Sequence, residues 1–219
     1  MPSALALALL LVAAPAKPAG NLTGRVILEG PAPKEKLITI GVDPKICGAS
    51  QPAGTLLVGK GGALANAVVT LDEPPAAGKA ALPAVVTMDQ RGCAFAPHIL
   101  LLPKGGTVKF LNSDPVLHNT RVNSAAEAMN RVQAKGVTVE KKFESGGIHP
   151  VKCDFHHWMN GYVVVAEHAY YAVTDGEGRF SFDVPEGKYD LHVWHETLGV
   201  AEGSLSTGKA GELKYPAAK

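Results

Sequence analysis

The chain has 219 residues, enough for one or two domains, and its 21 Lys and Arg residues stand against 20 Asp and Glu residues. This balance excludes the strongly basic proteins that bind nucleic acid or anionic membrane surfaces. The 24 Gly and 16 Pro residues fall between short Val-rich runs, which is typical of many short strands joined by turns.

Residues 1–16 have the pattern of a secretory signal peptide. An apolar run over residues 5–12 precedes Ala14-Pro15-Ala16, which has the small residues of a cleavage site. The run is too short to span a bilayer comfortably. We therefore expect cleavage near Ala16, a periplasmic or secreted protein, and no transmembrane segment. A retained N-terminal anchor is the alternative, because the first residues contain no Lys or Arg.

Short runs rich in apolar and β-branched residues predict the strands of the next part of the chain. They are residues 22–28, 37–40, 67–71, 84–88, 99–102, 107–111, 137–143, 151–153 and 162–165. Gly105-Gly106 predicts a tight turn between residues 99–102 and 107–111. Residues 124–135 are the only segment with a helical composition, and residues 171–195 predict three more strands with the spacing of an antiparallel sandwich.

The most informative motif is Cys153, His156 and Met159, at a C-x2-H-x2-M spacing between two predicted strands. His118 lies upstream in a different predicted loop. Two imidazoles, a thiolate and a weak axial thioether form the donor set of a blue-copper site. Zinc is the competing metal, but a thioether is a poor zinc ligand and the paired Cys of structural zinc sites are absent. The sequence thus predicts one copper ion on these four residues, with Met159 tuning the site as its axial ligand.

Residues near the motif have predicted supporting roles. His98 begins a strand and is an alternative or additional ligand, while His157 is predicted to face solvent or to pass electrons. Trp158 is predicted to pack over the site, and Asn119 to hold the Cys153 loop by hydrogen bonds to its backbone. The remaining histidines are predicted to be structural or solvated: His149, His168, His192 and His195.

The chain has three cysteines, an odd number for an exported protein. If Cys153 binds metal, Cys47 and Cys93 remain as a pair. Export favours a disulfide between them, and two buried free thiols are the alternative.

These residues resemble the cupredoxin family over residues 95–166. The C-x2-H-x2-M loop resembles that of the amicyanin type, and His118-Asn119 resembles the family's first ligand and its neighbour. The segment from Pro103 to Asp114 resembles the hairpin that leads to that ligand. The resemblance implies that His118, Cys153, His156 and Met159 are copper ligands.

The fold class implied is all-β, with a Greek-key cupredoxin sandwich over residues 20–167. A small β-sandwich-like module follows over residues 168–215, where Asp175-Gly-Glu-Gly178 and Pro185-Glu-Gly187 resemble carboxypeptidase regulatory-like modules. The whole chain resembles exported bacterial proteins of the methylamine utilisation type.

The function implied is electron transfer with a redox protein partner. No motif of a hydrolase, a zinc protease or a phosphate-binding loop is present in the sequence, so neither an enzymatic activity nor a small-molecule substrate is expected. The alternative is a copper-handling or surface-binding protein without an electron-carrier role. Colour separates the two, because a thiolate bound to Cu(II) absorbs visible light and a Cu(I) store does not.

Overall fold

The computed structural model describes residues 19–34, 36–75 and 82–216, so the predicted signal peptide lies outside the described residues. The described chain is all-β, as predicted, with one helical turn (α1, Pro44–Cys47) and one 3-10 turn (Lys60–Gly62). None of the helices in these ranges has the length and apolar character needed to cross a membrane. The strands are β1 (Ala19–Leu28), β2 (Leu37–Thr39), β3 (Ser50–Pro52), β4 (Val68–Leu71), β5 (Val85–Gln90), β6 (Phe95–Ala96), β7 (Ile99–Pro103), β8 (Thr107–Asn112), β9 (His118–Val122), β10 (Met129–Gln133), β11 (Thr138–Lys142), β12 (Gly147–Lys152), β13 (Asn160–Ala166), β14 (Tyr171–Val173), β15 (Arg179–Pro185), β16 (Lys188–His195), β17 (Gly199–Ser206) and β18 (Gly211–Tyr215).

The first sandwich contains the metal-binding motif. Its five-stranded sheet has the order β10-β9-β12-β13-β7, and its four-stranded sheet has the order β11-β8-β5-β6. Successive side chains of a strand point to opposite faces of the sheet. In β8, Val108 and Phe110 are therefore buried, while Lys109 between them is partly exposed. Phe143, Val151 and Val163 join these two side chains in one apolar core.

The second sandwich combines strands from both ends of the chain. Its sheets have the orders β15-β1-β18 and β14-β4-β16-β17. Its core contains Leu22 and Val69 from the first part of the chain, and Phe182, Leu191 and Tyr215 from the last part.

The two sandwiches pack against each other through a third apolar cluster. In β13, Val163 and Val165 belong to the first core, and Val164 on the opposite face contacts the second sandwich. Val68 of β4 belongs to this contact, and the rings of Tyr162 and Trp194 meet edge to face with centroids 5.1 Å apart. Burial on both faces explains why Val163, Val164 and Val165 form a continuous apolar run and do not alternate with polar residues.

The pairing of the strands differs from the predicted division of the chain at residues 167 and 168. β1 pairs antiparallel with β15 and parallel with β18, and β4 pairs with β14 and β16. Residues 19–28 and 68–71 therefore belong to the second sandwich, although they precede residue 167. Apolar periodicity shows which face of a strand is buried, but it does not show which strand lies beside it.

The predicted tight turn after residues 99–102 is confirmed, because the Gly106 N–H donates to the Pro103 carbonyl at 2.9 Å. The hairpin expected from the resemblance is not formed, since β7 and β8 lie in different sheets and residues 103–106 cross from one sheet to the other. Gly105 has the expected positive φ of 81°. Residues 124–135 contain no helix, because β10 pairs with β9 over Met129–Gln133. The Gln133 side chain is buried and bonded to the backbone oxygens of Phe110 and Val137.

Candidate metal centre

The C-x2-H-x2-M motif forms a closed loop between β12 and β13. The Cys153 N–H donates to the Met159 carbonyl at 3.2 Å, and the Met159 N–H donates to the His156 carbonyl at 2.8 Å. Cys153, His156 and Met159 are 2%, 0% and 1% exposed. The loop therefore holds its three side chains in the interior, and Cys153 is the free, buried cysteine of the described chain.

The sheet register brings His118 to this loop. β9 and β12 run antiparallel, with Val122 opposite Val151 and Arg121 opposite Lys152. The beginning of β9 consequently lies beside the residues that follow β12. The Asn119 N–H points to the Cys153 sulfur at 3.5 Å.

Three donor atoms face one point in the interior. The Nδ1 atoms of His118 and His156 are 2.9 Å apart, and the Cys153 Sγ lies 3.9 Å from the first and 3.7 Å from the second. Metal–nitrogen bonds of about 2.1 Å and metal–sulfur bonds of about 2.3 Å, as in zinc sites, allow separations up to about 4.4 Å between ligands of one ion. The three separations satisfy this limit, so the residues fit a single metal ion.

A carboxylate lies against the other nitrogen of each imidazole. His118 Nε2 is 3.0 Å from Asp114 Oδ2, and His156 Nε2 is 3.1 Å from Asp43 Oδ2. An ionised carboxylate only accepts hydrogen bonds, so this arrangement favours the tautomer with the proton on Nε2 and a lone pair on Nδ1. Two lone pairs that face each other at 2.9 Å repel unless a cation lies between them. Metal-binding histidines generally have such a partner on the second nitrogen.

Burial lowers the pKa of His118 below its ordinary value. The hydrogen bond to Asp114 opposes this effect, and the neighbouring His156 adds to it. Desolvation penalises the charged imidazolium, so His118 keeps the neutral form that metal binding requires.

The two carboxylates were not predicted from the sequence. Asp114 precedes His118 by four residues in Asn112-Ser-Asp-Pro, which is close enough in sequence to suggest a contact between the two side chains. Asp43 is 113 residues from His156, and no sequence pattern connects them.

The predicted supporting contacts of Asn119 and Trp158 are confirmed. Asn119 Oδ1 accepts the Asp154 N–H at 2.6 Å, and its Nδ2 donates to the Asp154 carboxylate at 3.0 Å. The Trp158 ring meets the His156 ring edge to face, with centroids 5.0 Å apart, and its Nε1 donates to the Cys93 carbonyl.

The other predicted candidates lie apart from the donors or face solvent. His98 Nε2 pairs with Glu196 of the second sandwich, and its ring meets that of Tyr162 in β13, so the contacts of its side chain lie where the two sandwiches meet and not at the candidate centre. His157 is exposed, as predicted. The Cys47–Cys93 disulfide is confirmed, with an S–S distance of 2.03 Å.

Comparison with known proteins gives matches among solved structures. No family model and no curated protein matches the chain. A copper-containing nitrite reductase from Thermus scotoductus SA-01 is 28% identical over 44% of this chain and 26% of its own length, with a TM-score of 0.35. A purple cupredoxin from Nitrosopumilus maritimus is 31% identical over 33% of this chain and 81% of its own, with a TM-score of 0.30. Amicyanin from Paracoccus versutus is 19% identical over 45% of this chain and 97% of its own, with a TM-score of 0.36. The chain thus spans only about a quarter of the nitrite reductase, and each of these matches covers less than half of this chain.

Proposed function

We propose that this chain is an exported cupredoxin-like protein that transfers electrons through one type 1 copper ion. His118, Cys153 and His156 would hold the ion, and Met159 would be its weak axial ligand. The observation that carries the proposal is the buried triangle of two Nδ1 atoms and one Sγ, with sides of 2.9, 3.7 and 3.9 Å.

The donor types favour copper. A His2Cys set with an axial Met is characteristic of blue-copper centres, and soft sulfur ligands select copper over harder cations. Copper held there would supply one-electron exchange between Cu(I) and Cu(II). The protein contributes a fixed ligand set, because His118 begins a strand and the Cys153 loop is closed by its own hydrogen bonds.

Burial favours electron transfer over catalysis or copper delivery. His118 and His156 are fully buried and Cys153 is 2% exposed, so a substrate has no direct access to these atoms. An electron needs no open channel. A delivery protein has to release its ion, whereas these imidazoles are held by two carboxylates, and the loop that carries His156 is closed on itself.

Export and a redox partner complete the proposal. A disulfide is typical of proteins that reach an oxidising compartment, and Cys47–Cys93 fits that location. Leu117 and Phe155 are exposed apolar side chains, and each precedes one of the two histidines in the sequence. We expect the redox protein to dock near them.

The test is the visible spectrum of the purified protein loaded with Cu(II). We expect strong visible absorption that Cys153→Ser abolishes and that the exposed-residue control His157→Ala retains. His118→Ala should weaken copper binding, because an imidazole is lost from the trigonal set. A colourless wild-type protein, or a Cys153→Ser spectrum equal to that of the wild type, would contradict the proposal.

A further inference from the structure

A segment outside the region that resembles cupredoxins covers His156. We call residues 40–53 the covering segment. Its Asp43 lies against His156 Nε2 at 3.1 Å, and its Ile40 and Cys47 are buried in the first core. His156 is consequently 0% exposed, although Asp43 itself keeps 43% of its side-chain surface accessible.

The backbone fixes the position of Asp43. This residue adopts the left-handed conformation, with φ 50° and ψ 41°, immediately before α1. Its carbonyl accepts the N–H groups of Ile46 and Cys47, both at 2.9 Å. Asp and Asn tolerate this conformation better than other residues with a side chain, so an amide can replace the carboxylate there without a change of backbone.

The covering segment is tied to the rest of the site at two further points. The Cys47–Cys93 disulfide joins it to residues 91–96, and Gln51 Nε2 donates to the carbonyls of both Cys47 and Gly92. The N–H groups of Gly92 and Cys93 donate in turn to Asp114, the carboxylate that holds His118. The carboxylates behind the two imidazoles thus belong to one connected structure.

We propose that Asp43 is a positioning residue for the copper centre. This role rests on the proposed function. Asp43 lies outside the loop that carries Cys153, His156 and Met159. The Asp43 carboxylate fixes the His156 ring with the proton on Nε2, which leaves Nδ1 free for the metal. A negative charge on the hydrogen-bond partner of a ligand makes that ligand more basic, so Asp43 stabilises Cu(II) more than Cu(I) and lowers the reduction potential.

The first measurement uses the metal-free protein. The ring-nitrogen chemical shifts of His156, recorded by NMR under conditions where the imidazole is neutral, report which nitrogen carries the proton. We expect the Nε2–H tautomer in the wild type and a mixture of tautomers in Asp43→Asn. The matched control is Asp72→Asn, which removes the same charge from the pair of Asp72 and His192 in the second sandwich and should leave His156 unchanged. Equal His156 shifts in Asp43→Asn and the wild type would overturn the proposal.

The second measurement is voltammetry of the copper-loaded variants. We expect a higher reduction potential in Asp43→Asn, partial return toward the wild-type value in Asp43→Glu, and the wild-type value in Asp72→Asn. A coloured wild type with an unchanged potential in Asp43→Asn would overturn the role of Asp43 and leave the copper proposal intact. A colourless wild type would overturn the proposed function, and the metal-free NMR measurement would still decide whether Asp43 sets the tautomer of His156.

Discussion

His118 and His156 direct their Nδ1 atoms at each other across 2.9 Å, and each ring is held from behind by a different carboxylate. The two residues come from different parts of the first sandwich, one from the beginning of β9 and the other from the loop after β12. Strand pairing brings them together, and the carboxylates of Asp114 and Asp43 lie behind the two rings. This geometry fits the metal centre proposed above.

Met159 should tune the copper centre without being required to hold the ion. The axial thioether bond of a blue-copper site is long and weak, while the His2Cys plane holds the metal. Met159→Leu should keep copper bound and raise the reduction potential, because loss of a donor destabilises Cu(II) more than Cu(I). Voltammetry of Met159→Leu and Met159→Gln tests this. If Met159→Leu binds no copper, or if its potential equals that of the wild type, Met159 is not the axial ligand.

The ligand motif could be predicted because its residues are close in sequence. Cys153, His156 and Met159 share one loop of seven residues, so their spacing alone limits how far apart they lie. The disulfide could be predicted because Cys153 belongs to the C-x2-H-x2-M motif and two other cysteines remain. Most strands could be predicted because one buried face imposes alternation, as in β8 and β15.

The carboxylates and the strand partners could not be predicted, for one physical reason. The contact of Asp43 with His156, and that of β1 with β15, depend on how distant parts of the chain meet. The sequence around an aspartate in a polar loop does not indicate which distant residue its side chain will contact. The helical composition of residues 124–135 misled for a related reason, since the buried hydrogen bonds of Gln133 outweigh a weak intrinsic preference.

Asn119→Ala should weaken both copper binding and the fold. Asn119 accepts the Asp154 N–H and donates to the Asp154 and Asn130 side chains, so its loss leaves partly buried groups without partners. That costs about 1–3 kcal/mol of unfolding free energy, and loss of such a supporting contact typically lowers metal affinity by about 10–100-fold. Copper titration and denaturant unfolding measure the two effects. The exposed Asn123→Ala is the control, and equal behaviour of the two variants would contradict the role of Asn119.

Removal of the disulfide should destabilise the protein and expose His156. The bond joins residues 46 positions apart, for which the chain-entropy estimate gives about 4 kcal/mol of stabilisation. Denaturant unfolding of the Cys47→Ser/Cys93→Ser double variant measures this loss, and hydrogen exchange of the His156 loop in metal-free protein measures the exposure. A double variant with the stability and exchange rates of the wild type would show that the covering segment stays in place without the bond.

Acid should destabilise the metal-free protein partly through His195. This side chain is 1% exposed, its Nδ1 accepts the Thr197 N–H, and burial lowers its pKa below the ordinary value. As the pH falls through the ordinary histidine pKa of about 6.5, the unfolded chain binds a proton that folded His195 resists, so unfolding becomes more favourable. His195→Asn, which can still accept the Thr197 N–H, should flatten this dependence in denaturant unfolding. The exposed control His157→Asn should keep the wild-type slope, and an equal slope in His195→Asn would contradict the assignment.

Truncation after residue 167 should prevent the chain from folding as a cooperative unit. The deletion removes β15 and β18, the two partners of β1, and β14 and β16, the two partners of β4. Leu22 and Val69, which are fully buried in the intact protein, would then be exposed beside unpaired strand edges, and such edges promote aggregation. Size-exclusion chromatography and denaturant unfolding of the purified fragment should show aggregates and no sharp transition.

Co-expression with a fragment of residues 168–219 should restore a folded complex, because the missing strands are supplied in trans. A monomeric 1–167 fragment that unfolds cooperatively on its own would mean that the first sandwich does not need the second, and that the division expected from the sequence describes the folding unit after all.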